Sequence, residues 1–235
     1  MSTLEARYQA IQHRIHQACD QVGRSRDSVR LLAVSKTKPA TMVRQCYQLG
    51  QRAFGENYLQ DGIDKVESLR TLDGLQWHFI GPLQSNKTRP VATHFDWLET
   101  LDRDKIARRL NEQRPQHLPP LQVLVQVNIS GEEQKAGVPV TDVMRFAEHI
   151  QTLERLNLRG LMCIPEATDL QSVDGATTLK QQFRQMKHLF EQLKTVHTQV
   201  DTLSMGMSAD LELAIEAGAT EIRIGTDIFG ARSPR

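Results

Sequence analysis

The sequence predicts an α/β chain folded as a single (β/α)8 barrel preceded by one extra helix, and three observations predict it. Eight short apolar runs recur along the chain, at residues 30–35, 52–55, 76–80, 95–99, 121–129, 158–164, 202–205 and 221–225. Each is followed by a polar turn and, for all but the last, an amphipathic stretch, which is the pattern of βαβ units and a parallel sheet. The 235 residues also come close to the roughly 250 of a typical barrel of this kind. The alternative is a doubly wound open sheet, which would carry a G-x-G-x-x-G turn after its first strand. Val34, Ser35, Lys36 and Thr37 stand there instead.

Taken in order, the chain opens with Leu4, Tyr8, Ile11, Ile15, Ala18 and Val22 at helical spacing. Gly23 stops that run, so residues 1–23 form the leading helix. The barrel is expected over residues 30–232. Pro39 suits the first position of a helix at 39–49, which Gly50 closes. Amphipathic stretches at 58–69, 85–93, 103–113, 140–153, 176–199 and 209–217 separate the later strands, and Gly218 closes the last of them. No linker, low-complexity tract or composition break divides the chain, so residues 1–235 are read as one domain; the longest soft spot is the loop 165–175.

Composition narrows the function. Twenty-nine Lys and Arg against 28 Asp and Glu leave a net charge of +1, which offers no electrostatic footprint for nucleic acid or an anionic membrane. No apolar run approaches a membrane span, and Glu5 and Asp20 in the leading helix argue against a secretion signal. Cys19, Cys46 and Cys163 are odd in number and far apart, which fits reduced thiols and a cytoplasmic chain.

In such a barrel, reactive groups gather at the C-terminal ends of the strands. Lys36 follows the first strand there, Glu56 and Asn57 the second, and Asn128 the fifth; His78 lies in the third. Ser204, Gly206 and Ser208 follow the seventh, and Gly225 and Thr226 the eighth. An amine at the rim of a packed barrel loses hydration, which favours the neutral form, and a neutral lysine condenses with carbonyls. The two glycine- and hydroxyl-bearing turns after the seventh and eighth strands stand where barrels often hold phosphate. Period two points Arg223 into the barrel mouth if Ile222 and Ile224 face the helices. There it donates to a ring nitrogen or pairs with Glu221 or another carboxylate. His78 reads first as a satisfied core residue, and no metal-ligand spacing is found. A lysine that forms Schiff bases beside a phosphate cradle implies a ligand with both an aldehyde and a phosphate. Pyridoxal 5′-phosphate (PLP) meets both requirements, and so do the substrates of sugar-phosphate aldolases.

Several segments resemble the PLP homeostasis proteins, which share the barrel of the alanine racemase N-terminal domain. They are Leu32 to Pro39, Phe54 to Tyr58, Trp77 to Gly81 with Leu83 to Lys87, Lys135 to Gly137, Leu161 to Pro165, Leu203 to Ser208, and Arg223 to Thr226 with Phe229 and Gly230. The resemblance implies PLP held as a Schiff base on Lys36, with its phosphate at Ser204, Ser208, Gly225 and Thr226 and its pyridine nitrogen at Arg223. It further places Asn57 and His78 beside the ring, with Met205 and Gly206 shaping the pocket. It implies a carrier that maintains PLP and amino-acid levels, with PLP-dependent apoenzymes as possible recipients and no efficient turnover of its own. The alternative is a small racemase or lyase using His78 or Cys163 as a second base. A monomer is expected, and Lys38, Lys65 and Lys135 stay open as further acceptors.

Overall fold

The computed structural model describes residues 3–231 apart from 133, 167, 168 and 170. The expected barrel end at residue 232, the tail beyond it and part of the loop 165–175 therefore lie outside the described residues.

Short β-rich runs form the strands β1 (Arg30–Val34), β2 (Ala53–Glu56), β3 (Gln76–Phe79), β4 (Trp97–Leu101) and β5 (Leu121–Asn128). A two-residue β6 (Val138–Pro139) follows, then β7 (Leu156–Cys163), β8 (Thr202–Ser204) and β9 (Glu221–Ile224). Every pairing is parallel, because each connection crosses the outside of the sheet rather than turning back as a hairpin. The order β4-β3-β2-β1-β9-β8-β7-β5 closes through a β4–β5 pairing, giving a barrel of eight strands. The unanticipated β6 pairs only with the end of β5 and stands outside this ring.

Around the barrel lie α2 (Ala40–Gln48), α3 (Leu59–Ser68), α4 (Thr88–His94), α5 (Asp104–Gln113), α6 (Val143–Gln151), α7 (Val173–Val196) and α8 (Leu211–Glu216). Several boundaries shift from expectation, the strand expected from residue 158 starting at Leu156 and the helix expected at 176–199 running Val173–Val196; two other shifts have a clear local cause. The fourth strand begins at Trp97 rather than at residue 95, because the Phe95 N–H caps α4 on Val91 and the Phe95 ring packs edge-on against Phe79. The helix expected from residue 85 starts as a 3-10 turn, Ser85–Lys87, and becomes α4 only at Thr88. Pro90 in its first turn needs no N–H partner.

The last βα unit carries only a single-turn helix, α9 (Thr226–Phe229). The leading helix α1 (Leu4–Gln21) compensates. It buries Tyr8, Ile11, Ile15, Ala18 and Cys19 and packs beside α2, α8 and α9, filling the outer ring where the short helix leaves a gap. The Thr3 hydroxyl accepts from the Ala6 N–H and caps its start. No helix among the described residues is long and apolar enough to cross a membrane.

Period two divides the strands. Leu31, Ala33, Phe54, Trp77, Phe79, Ile222 and Ile224 face the helices and join the main apolar core. The inside of the barrel is different. Trp97, Leu124 and Met162 form a small separate apolar cluster there. The opposite register places Arg30, His78, Glu99, Ser204, Glu221 and Arg223 inward, the last five of them buried. Barrels of this class usually fill that space with branched aliphatic layers, whereas here buried polar and charged side chains take part of it.

Candidate functional site

The C-terminal ends of β1, β2, β3, β7, β8 and β9 surround a cavity of about 400 Å³. Lys36, Asn57, Ser208, Arg223, Gly225 and Thr226 all line it, together with Val34, Ile80, Met162, Ile164, Met207 and Asp227. Six residues expected at the site thus meet in one place.

Lys36 is half-buried and reaches the cavity from the turn after β1. Ser35 before it is fully buried, donating its N–H to the Gly55 carbonyl at 3.0 Å and its hydroxyl to Glu56 at 2.6 Å. Thr37 after it has φ 63°, the left-handed region, which costs a residue with a Cβ about 1–2 kcal/mol. Its N–H donates to Asp61 Oδ2 at 3.1 Å. Glu56, read from sequence as a rim residue, faces outward beneath α3, where Lys65 donates to it at 2.8 Å. Lys65 is itself 3% exposed and bonded to three acceptors, so it is no accessible amine. Lys38 donates to the Ala231 carbonyl and Lys135 pairs with Glu132.

The opposite wall is built by two turns. After β8, Gly206 sits at φ +95°, and a Cβ there would come within 2.4 Å of the Ala214 Cβ. Only glycine lets the chain turn this close to α8. The Gly206 carbonyl accepts from the Arg223 N–H at 3.0 Å, which ties this turn to β9. After β9, the N–H groups of Thr226 and Asp227 open α9 and have no acceptor within that helix. Arg14 of α1 braces both turns: it donates to the Ser208 carbonyl at 3.1 Å and pairs with Glu212 at 2.8 Å and Asp227 at 3.6 Å. Asn57 contributes an amide oxygen that is buried without a hydrogen-bond partner.

Arg223 forms the floor. Its Nη1 donates to Ser204 Oγ at 2.8 Å and its Nη2 to the Cys163 carbonyl at 2.8 Å. The Ser204 hydroxyl in turn donates to Glu99 Oε2 at 2.8 Å. The alternative pairing of Arg223 with Glu221 does not occur, because Glu221 bonds Arg30 at 2.7 Å. Glu99 Oε1 lies 2.6 Å from His78 Nδ1, and the His78 ring stacks on Trp97 at 4.8 Å. Burial, the largest influence, pushes the His78 pKa down to about 3. The ring is therefore neutral, and its carboxylate partner assigns the proton to Nδ1. Burial pushes both Glu99 and Glu221 up, with Arg223 and Arg30 opposing it.

His78, Glu99 and Glu221 bring possible ligand atoms within 4.8 Å of one another, as a metal site would. Arg30 already bonds Glu221, and Arg223 reaches Glu99 through Ser204, so acceptors of this cluster are engaged by the chain's own donors. Four residues expected at the site lie behind the lining instead. His78 and Ser204 are sealed in this network, Met205 packs into the outer core, and Gly206 shapes the turn. Ser204 supports Arg223 rather than facing an anion, because its strand register turns it inward below the rim. Sequence reasoning missed Arg14, Asp61 and Glu99 and read Lys65 only as a further acceptor; a carboxylate in the inward register of an apolar strand was the available signal for Glu99.

Residues 7–233 match the family described as alanine racemase, N-terminal domain. The chain is 54% identical over 226 residues to the pyridoxal phosphate homeostasis protein of Haemophilus influenzae, covering 95% of this chain and 93% of that one. It is 51% identical to the protein of that name from Escherichia coli K12, covering 94% of each. Among solved structures it is similar to PipY of Synechococcus elongatus with PLP bound (TM-score 0.77, 35% identity, 92% of this chain and 100% of that one). Alanine racemase from E. faecalis shares the barrel at a TM-score of 0.72 and 14% identity, and this chain spans 58% of its length. The chain thus belongs to the pyridoxal phosphate homeostasis proteins, a family built on the alanine racemase N-terminal barrel.

Proposed function

We propose that this chain binds PLP in the rim cavity through Lys36 and serves as a carrier in PLP homeostasis. One observation carries the reading: a single cavity brings together the Lys36 amine, two turns that present donors to an anion, and a guanidinium on the floor. The volume falls in the range of small-ligand sites. The buried, unpartnered Asn57 oxygen is an acceptor awaiting a ligand donor. When bound, the cofactor would supply an aldehyde able to condense with the Lys36 amine, water leaving, and a phosphate. Ser208, Gly225 and Thr226 would hold the phosphate, at the start of α9. Arg223 cannot lose its proton, so it would donate to the ring nitrogen and leave that nitrogen unprotonated.

The same geometry favours a carrier over a racemase or lyase. Two-sided proton transfer needs two positioned groups. His78 is neutral and sealed inside the barrel, and Cys163 is buried with its thiol pushed up to about 12. Asp227 lines the cavity but is engaged by Arg14. A cytoplasmic monomer that passes PLP to apoenzymes is the setting we propose.

Borohydride reduction of the PLP-loaded protein, followed by peptide mapping, tests this reading. A phosphopyridoxyl group is expected on the Lys36 peptide and is lost in Lys36→Ala. An unmodified Lys36 peptide from loaded protein overturns the reading. Solvent deuterium entering the α-carbon of amino acids at enzyme-like rates would overturn the carrier role. Arg14→Ala should weaken PLP about fivefold, or about 1 kcal/mol, while barely moving Tm, because Arg14 is a half-exposed brace. Equilibrium titration beside a thermal melt checks both halves.

A further inference from the structure

The turn that presents Lys36 rests on a buried ion cluster on the outer side of the barrel wall. Lys65, in the second turn of α3, directs Nζ at the Ser35 carbonyl (2.8 Å), Glu56 Oε1 (2.8 Å) and Asp61 Oδ2 (3.0 Å). Three acceptors saturate the three donors of an ammonium. These contacts fall on both sides of Lys36. Ser35, immediately before it, is held through its carbonyl by Lys65 and through its hydroxyl by Glu56. Thr37, immediately after it, is held in its left-handed conformation by Asp61, which Lys65 also grips. The helix comes this close because Gly62 faces the wall: a Cβ there would lie 2.8 Å from the Phe95 ring and 3.2 Å from the Glu56 Cβ.

We propose that Lys65 and Asp61 are positioning residues for Lys36, a latch that fixes the residues flanking it and so aims its amine into the cavity. The inference rests on the PLP reading above. An ion cluster is a poor way to gain stability alone, since apolar packing of the same volume does as well or better. What the cluster adds is direction: three specified acceptors on one turn, which an apolar contact would leave free to slide. A lysine held slightly out of place loses rate steeply, because near-attack geometry is sensitive to small displacements.

The test uses the full chain with Asp61→Ala, Asp61→Asn and Lys65→Met, and Lys36→Ala as control. Asp61 is half-exposed, so its variants should keep the wild-type circular dichroism. The readout is the rate at which reducible adduct accumulates on the Lys36 peptide after PLP is added. Asp61→Ala is expected to slow it about tenfold, and Asp61→Asn, which keeps an acceptor for the Thr37 N–H, to restore most of the loss. Lys65→Met should slow it at least as much; if that variant fails to fold, the Asp61 pair decides alone. Wild-type adduct rates in folded Asp61→Ala would overturn the latch and leave the PLP reading standing. No adduct on Lys36 in the wild type would overturn both, so the two failures are distinguishable.

Discussion

Arg223→Met is expected to lower stability by about 3 kcal/mol and Tm by roughly 6–12 °C. The guanidinium is 6% exposed and is tied to Glu99 through Ser204. Without it, Glu99 loses the largest favourable charge acting on it inside a space that excludes water, and a buried carboxylate left without its main cation is costly. Proton binding by Glu99 in the folded state should then be favoured further. The Glu99 pKa, already raised by burial, rises further with the loss of the arginine that lowers it. A group whose folded pKa lies above its unfolded value gives stability that is full below the unfolded pKa and is lost as pH rises through the folded one. The deficit of the variant should therefore shrink toward acid pH.

The double variant Arg223→Met with Glu99→Gln separates the two duties of the arginine. Gln keeps an acceptor for His78 and removes the stranded charge, so most of the lost Tm should return. Affinity for PLP should not return, because the floor of the cavity still lacks its donor. Thermal melts across pH, run beside PLP titrations, check both statements. Recovery of affinity together with stability would show that Arg223 acts only on the fold.

His78→Asn should alter how stability responds to acid. The folded ring has a pKa of about 3 against 6.5 when unperturbed, so below about pH 6.5 the unfolded chain takes up a proton that the folded chain refuses. Stability from this group is complete above the unfolded value and falls by about 1.4 kcal/mol per pH unit beneath it. Glu99 and Glu221 work in the opposite sense, since burial raises them. Comparison with the variant therefore isolates the histidine. Wild type should lose about 2–3 kcal/mol more than His78→Asn between pH ~7 and pH ~4.5. Against this, the variant carries a pH-independent loss from the broken stack on Trp97 and the missing bond to Glu99. Parallel stability–pH curves would mean that His78 is not held neutral.

The strands were legible because each is a short apolar run bounded by polar turns; most bounds moved by a residue or two, and at β4 the start moved because Phe95 caps a helix instead of entering the sheet. Lys36, Ser208, Gly225 and Thr226 could be placed on the rim because chain order alone puts them just past strand ends. Ser204 and His78 could not be placed so well. Both lie near the same rim in sequence, yet one step of register turns them inward and below the cavity. The bracing role of α1 was also hidden, since nothing local says that Arg14 spans to Ser208, 194 residues away.

By itself the sequence determined the barrel, the rim on which the cavity opens and the amine that stands there, because periodicity and chain order act over a few residues at a time. Tertiary structure alone decided which charges meet. Glu99 reaches Ser204 across 105 residues, Arg30 takes Glu221 before Arg223 can, and Lys65 grips Ser35 directly and Thr37 through Asp61. Coulombic and hydrogen-bond energies depend on separations of a few ångströms in a medium of low polarity. Those separations exist only once the eight strands have closed.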